Sequence, residues 1–260
     1  MLQEIITSKR KKVEQLKQLY PVKLLERSMF FESKVVSLSH YIKRPDKSGI
    51  IAEFKRKSPS KGIINQYADV MQTTMGYMRA GASALSVLTE EDYFMGKSED
   101  LTIARNANYC PILRKDFTVD EYQVIEAKSI GADAILLIAA ALSKAEIKSL
   151  YEVAKSLGLE VLFEIHSKEE LEKLPGLDII IGVNNRNLKT MEVDIKTSFD
   201  IIKELPKSAI LVSESGLKDA EDVKKLKAAG YQGFLMGEHF MRTPDPEDAL
   251  KEFISKLNAL

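Results

Sequence analysis

Short apolar runs rich in Ile, Val and Leu recur along the chain once a charged N-terminal region has passed. They are IIAEF near residue 50, ALSVL near 84, PILRK near 111, AILLIAA near 134, EVLFEI near 160, IIIGVN near 179, AILVSE near 209 and GFLMG near 233. Successive runs lie roughly 20 to 35 residues apart, enough for a crossover helix between each pair, which is the pattern of repeated βα units. The stretches between them carry apolar residues at helical spacing. YADVMQTTMGYMRAGA, TVDEYQVIEAKSIGA and DAEDVKKLKAAGY each run into a glycine suited to a helix C-terminus.

Eight such units in a chain of 260 residues predict an α/β protein of the (β/α)8 TIM-barrel class. An open doubly wound sheet has fewer strands for its length. Residues 1–45 are left over, and EIITSKRKKVEQLKQLY and VKLLERSMFFESK read as an N-terminal helical extension covering part of the barrel. Residues 49–241 hold the eight units and 242–260 a C-terminal helix. No low-complexity or Pro/Gly-rich boundary divides the chain, so 1–260 is expected to be one domain.

The first run then poses a problem, because IIA continues directly into Glu53, Phe54 and Lys55. Side chains alternate across a strand, so Ile51, Glu53 and Lys55 share one face and Ile50, Ala52 and Phe54 the other. The outward face of a barrel strand meets helices and is apolar, which assigns Glu53 and Lys55 to the interior at the C-terminal rim, where active sites of this fold lie. The same parity groups Leu113, Lys115 and Phe117; Leu162 and Glu164; Ile180, Gly182, Asn184 and Arg186; and Ile210, Val212 and Glu214. Seven polar side chains therefore converge on one mouth. A dry mouth would penalise each unpaired charge by about several kcal/mol, so a shared functional site accounts for them better than seven separate solvated strand ends.

Two further segments have phosphate-binding character. SESGL follows the seventh run, and LMGEHFM, from Leu235 to Met241, follows the eighth with a short helix starting near Glu238. Glycines there let backbone N–H groups approach an anion beside a helix N-terminus, the usual phosphate position in this fold. The loop KRKSPSKG places Ser58, Ser60 and Lys61 beside Lys55 and reads as a mobile lid, although Ser-Pro-Ser is also ordinary turn chemistry.

Charge and composition narrow the choice. The 38 basic residues balance 38 acidic ones, so no broad field points to a nucleic-acid or membrane-surface partner, and an anionic ligand must be caught locally. The single cysteine, Cys110, excludes an internal disulfide framework and reads as a core filler. His40, His166 and His239 lack ligand spacing, so no metal site is expected; His166, just beyond Glu164, could touch the cavity but reads rather as a loop residue. No nucleotide fingerprint is present. The longest apolar run, AILLIAAAL, is far short of the roughly 20 residues of a membrane span, and a cytoplasmic protein is expected.

The stretches IIAEFKRKSPSKG, LSVLTEEDYFMGKSEDL, PILRKDFTVDEYQ, ADAILLIAAAL, LEVLFEIHSKEEL, IIGVNNRNLKTMEVD, LVSESGLKDAEDV and GFLMGEHFM together resemble the indole-3-glycerol-phosphate synthase family. The resemblance implies a lyase of tryptophan biosynthesis that closes the indole ring of 1-(2-carboxyphenylamino)-1-deoxyribulose 5-phosphate, releasing carbon dioxide and water without a cofactor. It implies a phosphate held by Ser215, Gly216, Leu235, Gly237 and Glu238 with Lys55 near it. The aryl carboxylate would lie by Asn184 and Arg186 with Ser58 nearby, and the ring between Phe117 and Leu136. Lys115 matches the general acid, with Lys55 as the neighbour able to lower its pKa. Glu164, Lys55 and Glu53 are candidates for the proton transfers of dehydration, and Glu214 and Asn184 for orienting hydroxyls; the choice between Lys55 and Glu164 as acid or base stays open. The partner is then a phosphorylated small molecule, with no nucleic acid or membrane, and the chain a monomer or weak homo-oligomer.

Phe54, Met95 and His239 depart from the family's usual residues without touching a catalytic match. A phosphoribosylanthranilate isomerase would be expected to use a Cys/Asp pair, and Cys110 lies before the third strand, away from the rim. A barrel that only binds a phospholigand could discard Lys115 or Glu164, and both are present.

Overall fold

All eight apolar runs become parallel strands in the computed structural model: β1 (Ile50–Phe54), β2 (Ala84–Leu88), β3 (Ile112–Lys115), β4 (Ala134–Ile138), β5 (Glu160–Ile165), β6 (Ile180–Asn184), β7 (Ile210–Glu214) and β8 (Gly233–Met236). Each pairs with its neighbours in sequence, and β1 also pairs with β8 through Ile50↔Phe234 and Ala52↔Met236, which closes the barrel. The structure describes residues 1–176, 179–188 and 190–259. Lys189, within the NNRNLKT stretch, and Leu260, the last residue of the 242–260 segment, lie outside them.

Strand parity separates two apolar clusters. Ile50, Ala52 and Phe54 join the layer between strands and helices. Ile51, Leu113, Ala134, Leu136, Leu162, Ile180, Val212 and Leu235 fill the interior. The helices follow the expected punctuation: α4 (Val70–Ala80) stops at Gly81 with φ 102° and α9 (Ala220–Ala229) at Gly230 with φ 122°, a conformation in which a Cβ is disfavoured. Between them come α5 (Ser98–Ala107), α6 (Glu121–Ser129), α7 (Lys144–Ser156) and α8 (Lys196–Ile201); α10 (Glu238–Met241) and α11 (Pro246–Ala259) end the chain. The β5–β6 connection departs from the simple repeat, since its helical part is the 3-10 segment Lys168–Lys173. Among the described residues no helix is long and apolar enough to cross a membrane.

The N-terminal extension reaches both ends of the barrel. Helix α3 (Leu38–Lys43) inserts Leu38 and Ile42 into the interior cluster from below. It is held there by Glu160, whose carboxylate accepts from Ser37 Oγ at 2.9 Å and from the Ser39 N–H at 2.8 Å. Helix α1 (Leu2–Leu19) lies at the opposite end, where Met1, Leu2 and Ile5 line the mouth. The second expected helix is reduced to α2 (Val22–Leu25), after which RSMFFES proceeds in turns. Short-range hydrogen bonds at Ser28, Phe31 and Ser33 replace a helical ladder there, and no residue of α2 is buried to reward a longer helix.

Lys9 fastens α1 to the barrel. Its ammonium is buried 2.8 Å from Asp116 and 3.7 Å from Glu90, and Asp116 also accepts from Thr89 Oγ1 at 2.7 Å. Removing one partner of a buried pair leaves the other charge uncompensated. Lys9→Met is therefore expected to lower unfolding free energy by roughly 3–5 kcal/mol, measured by urea denaturation, with faster amide exchange along α1.

Candidate active site

All seven polar groups assigned inward by parity line one cavity of about 750 Å³ at the C-terminal rim. On β1, Glu53 is buried, and its Oε1 accepts from Lys55 Nζ at 2.7 Å. Its Oε2 accepts from Ser86 Oγ at 3.4 Å. Ser86, on β2, is an inward residue that the same alternation could have found. From the end of β3, Lys115 Nζ donates to Glu164 Oε2 at 2.8 Å and to Glu214 Oε2 at 3.2 Å. Three strands, β3, β5 and β7, thus meet on one ammonium group.

The charges set one another's protonation. Burial pulls the Lys115 ammonium down, but Glu164, Glu214 and Glu53 outweigh it and hold the group above the ordinary lysine value. This corrects the expectation that Lys55 lowers Lys115: the Lys55 ammonium is engaged with Glu53, and the carboxylates dominate. Burial pushes Glu164 up, but Lys115 and then His166 outweigh it, so Glu164 is held well below the usual carboxylate range. Glu214 goes the other way, raised by burial against the pull of Lys115, with the charges of Glu164 and Glu53 adding to the rise. The site accordingly pairs an ionised carboxylate, Glu164, with one that holds a proton more readily, Glu214.

The rim loops complete the enclosure. Asn184 Oδ1 accepts from the Arg186 N–H at 3.0 Å, and Arg186 Nη1 donates to the Met191 carbonyl at 3.2 Å. An antiparallel bridge between Arg186 and Val193 folds this loop back, so that Leu188, Met191 and Val193 also line the cavity. Those apolar residues within a polar loop were the available sequence signal for them. After β7, Ser215 and Gly216 take φ values of 66° and 78°. The buried Asn185 supports this turn, its Nδ2 donating to the Ser215 carbonyl at 3.0 Å. After β8, Gly237 packs so closely that an added Cβ would sit 2.8 Å from Glu53 Cβ. Helix α10 starts at Glu238, whose carboxylate pairs with Arg242.

Phe117, Leu136 and Leu235 form apolar wall, with Phe94 stacked at a tilt 6.2 Å from Phe117. Ser58 also lines the cavity, but its loop is a two-strand antiparallel hairpin, Lys57–Ser58 with Gly62–Ile63. Ser58 Oγ and Glu214 Oε1 are buried with no hydrogen-bond partner among the described residues, which at a cavity wall marks groups available to a ligand. Ser60 and Lys61 line the same cavity, as do His239 and Arg242. Met95, at φ 56°, accepts from Arg56 through its carbonyl at 3.3 Å. Cys110 is buried in the outer core, as a filler should be. His166 lies in the bend after β5, as a loop residue should, and is partly buried beside Glu164, with Nε2 3.4 Å from Glu164 Oε1.

A sequence-family model described as indole-3-glycerol phosphate synthase matches residues 2–253. The indole-3-glycerol phosphate synthase of Bacteroides thetaiotaomicron is 48% identical over 257 residues, covering 99% of this chain and 98% of the relative. The one from Campylobacter fetus subsp. fetus is 43% identical, covering 97% and 98%. Among solved structures, a chain of the tryptophan synthase complex from Pyrococcus furiosus aligns over 82% of this chain and 99% of its own, with TM-score 0.59 and 17% identity. KGPDC from Streptococcus mutans aligns over 81% and 97%, with TM-score 0.61 and 12% identity. At such identities these two speak for the barrel fold alone.

Proposed function

The chain belongs to the indole-3-glycerol phosphate synthase family, carboxy-lyases of tryptophan biosynthesis that act on a phosphorylated small molecule, and we propose that its reaction is carried by Lys115 held between Glu164 and Glu214. In closing the indole ring of 1-(2-carboxyphenylamino)-1-deoxyribulose 5-phosphate, the carboxylate-bearing ring carbon attacks the ketone carbon. The ketone oxygen gains alkoxide character and takes the Lys115 proton. A lysine held above its ordinary value keeps that proton until so strong a base develops. Loss of carbon dioxide then restores the aromatic ring. Dehydration breaks the bond to the new hydroxyl as a proton leaves the adjacent carbon.

Glu164, kept ionised, is the group able to accept that carbon-bound proton, and Lys55, in contact with Glu53, the one able to deliver a proton to the departing hydroxyl. Glu214 and Asn184 orient the substrate hydroxyls. Backbone at Ser215, Gly216, Gly237 and Glu238, with Leu235 beside them, receives the phosphate. Arg186 and Ser58 receive the aryl carboxylate, and Phe117 and Leu136 hold the ring. The observation that carries the reading is the Lys115 contact with two carboxylates from different strands, at 2.8 and 3.2 Å, in the cavity that all these residues line.

We also propose one domain over 1–260, a cytoplasmic location, a monomer or weak homo-oligomer, and no nucleic-acid or membrane partner. Purified protein given the carboxyphenylamino-deoxyribulose phosphate is expected to develop indole fluorescence without added metal or nucleotide. No product from the unmodified protein would overturn the assignment.

A further inference from the structure

Three carboxylates crowd the centre of the mouth. Among the described residues, Glu53, Glu164 and Glu214 are in contact with two ammonium groups, Lys55 and Lys115. The next basic group to touch them is His166, at the end of β5. Its Nε2 lies 3.4 Å from Glu164 Oε1, while Glu164 Oε2 is the oxygen that takes Lys115. The two oxygens of one carboxylate are thus divided between an imidazole and an ammonium. On its other side, His166 Nδ1 lies 3.8 Å from Glu170 Oε2, and that same oxygen accepts the His166 backbone N–H at 2.8 Å. Glu170 belongs to the 3-10 segment Lys168–Lys173, which is anchored where Lys173 Nζ donates to the carbonyls of Ala139 at 2.7 Å and Leu142 at 3.0 Å. Among the described residues neither ring nitrogen has a hydrogen-bond partner, although both nitrogen atoms are buried. An imidazole with both nitrogens buried, placed between two carboxylates, is poorly explained as packing.

We infer that His166, backed by Glu170, is a positioning residue for the reaction: as an imidazolium it keeps Glu164 anionic and turned so that its second oxygen engages Lys115. The inference rests on the assignment of Lys115 and Glu164 to the chemistry. The charged groups around the ring are Glu164 from the adjoining end of β5, Lys115 from β3, Glu214 from β7, and Glu170 and Lys173 from the 3-10 segment. Burial pulls the imidazole down, but Glu170, Glu164 and Glu214 outweigh it and hold it above the ordinary histidine value. Its charge is therefore present at lower pH and lost as pH rises through that elevated value.

The test is the pH profile of kcat for the unmodified protein, His166→Gln and Glu170→Gln. His166→Gln should lower kcat by about 10- to 100-fold, as misplacement of a catalytic group does, with KM changed little. It should also shift the acid limb upward by roughly one pH unit, because Glu164 loses a neighbouring positive charge, and erase an alkaline limb caused by imidazolium deprotonation. Glu170→Gln should move that alkaline limb to lower pH. Unchanged limbs in His166→Gln overturn the inference, even if kcat falls, since lost packing alone would leave them in place. Nitrogen-15 histidine spectra of the unmodified protein decide the matter independently of any variant's folding: a neutral His166 at the pH of maximal kcat overturns it. The unmodified protein making no indole product would instead remove the underlying assignment.

Discussion

Lys115→Ala is expected to reduce kcat by about 10³- to 10⁴-fold, within the range supplied by a positioned acid together with charge stabilisation, while substrate Kd moves only a few-fold. The separation follows from the geometry. Lys115 Nζ sits among carboxylates deep in the mouth, whereas the phosphate and aryl carboxylate are assigned to the β7, β8 and β6 rim. Folding should survive, because Glu214 already leans toward its protonated form and can become neutral when the ammonium is gone. Single-turnover fluorescence would report the chemical step, and titration with a substrate analogue whose ketone is reduced to an alcohol, which leaves the ring carbon no carbonyl to attack, the affinity. A variant within ten-fold of normal kcat would remove Lys115 from the acid role. Equal losses in binding and turnover would make it an anchor instead.

Gly182→Ala should also damage turnover, though less than Lys115→Ala, with little effect on stability. Gly182 stands on β6 at the inward parity, and an alanine Cβ there would overlap Glu214 Oε1 and come 3.2 Å from Leu162 Cδ1. The obstacle is mainly the end of a flexible side chain, so the fold can adjust by displacing the Glu214 carboxylate. That displacement separates Glu214 from Lys115, and a misplacement of about 1 Å costs on the order of 10²-fold in rate. The expected outcome is a kcat loss of that order with a thermal midpoint within a few degrees of the unmodified protein. A large fall in midpoint with kcat retained in the folded fraction would show that backbone strain, and not Glu214, governs the position.

Parity explains why so much of this cavity could be read in advance. Alternation along a strand is local, so Glu53, Lys115, Glu164, Asn184 and Glu214 could be sorted to one face from their own neighbours, and the interior cluster has that membership beneath them. Glycines ending α4 and α9 are equally local signals. Pairing is not local. Lys115 meets Glu164 across 49 residues and Glu214 across 99, and nothing along the chain distinguishes those partners from Lys55. The expectation that Lys55 tunes Lys115 failed because proximity in a list of inward residues carries no information about which neighbours face each other.

The partners of His166 were hidden for a related reason. It follows Ile165 at the strand end, where alternation gives way to a loop, and only the return of the 3-10 segment encloses it between Glu164 and Glu170. The extension was visible as surplus helix, yet its division between α3 under the barrel and α1 over the mouth depends on Glu160 and on the buried Lys9–Asp116 pair. By itself, then, the sequence determined the eight strands, their inward faces and the chemical types gathered at one rim, because periodicity acts through adjacent residues. Barrel closure alone decided which charges touch and which stay protonated, because Coulomb and desolvation energies depend on distances between residues far apart in the chain.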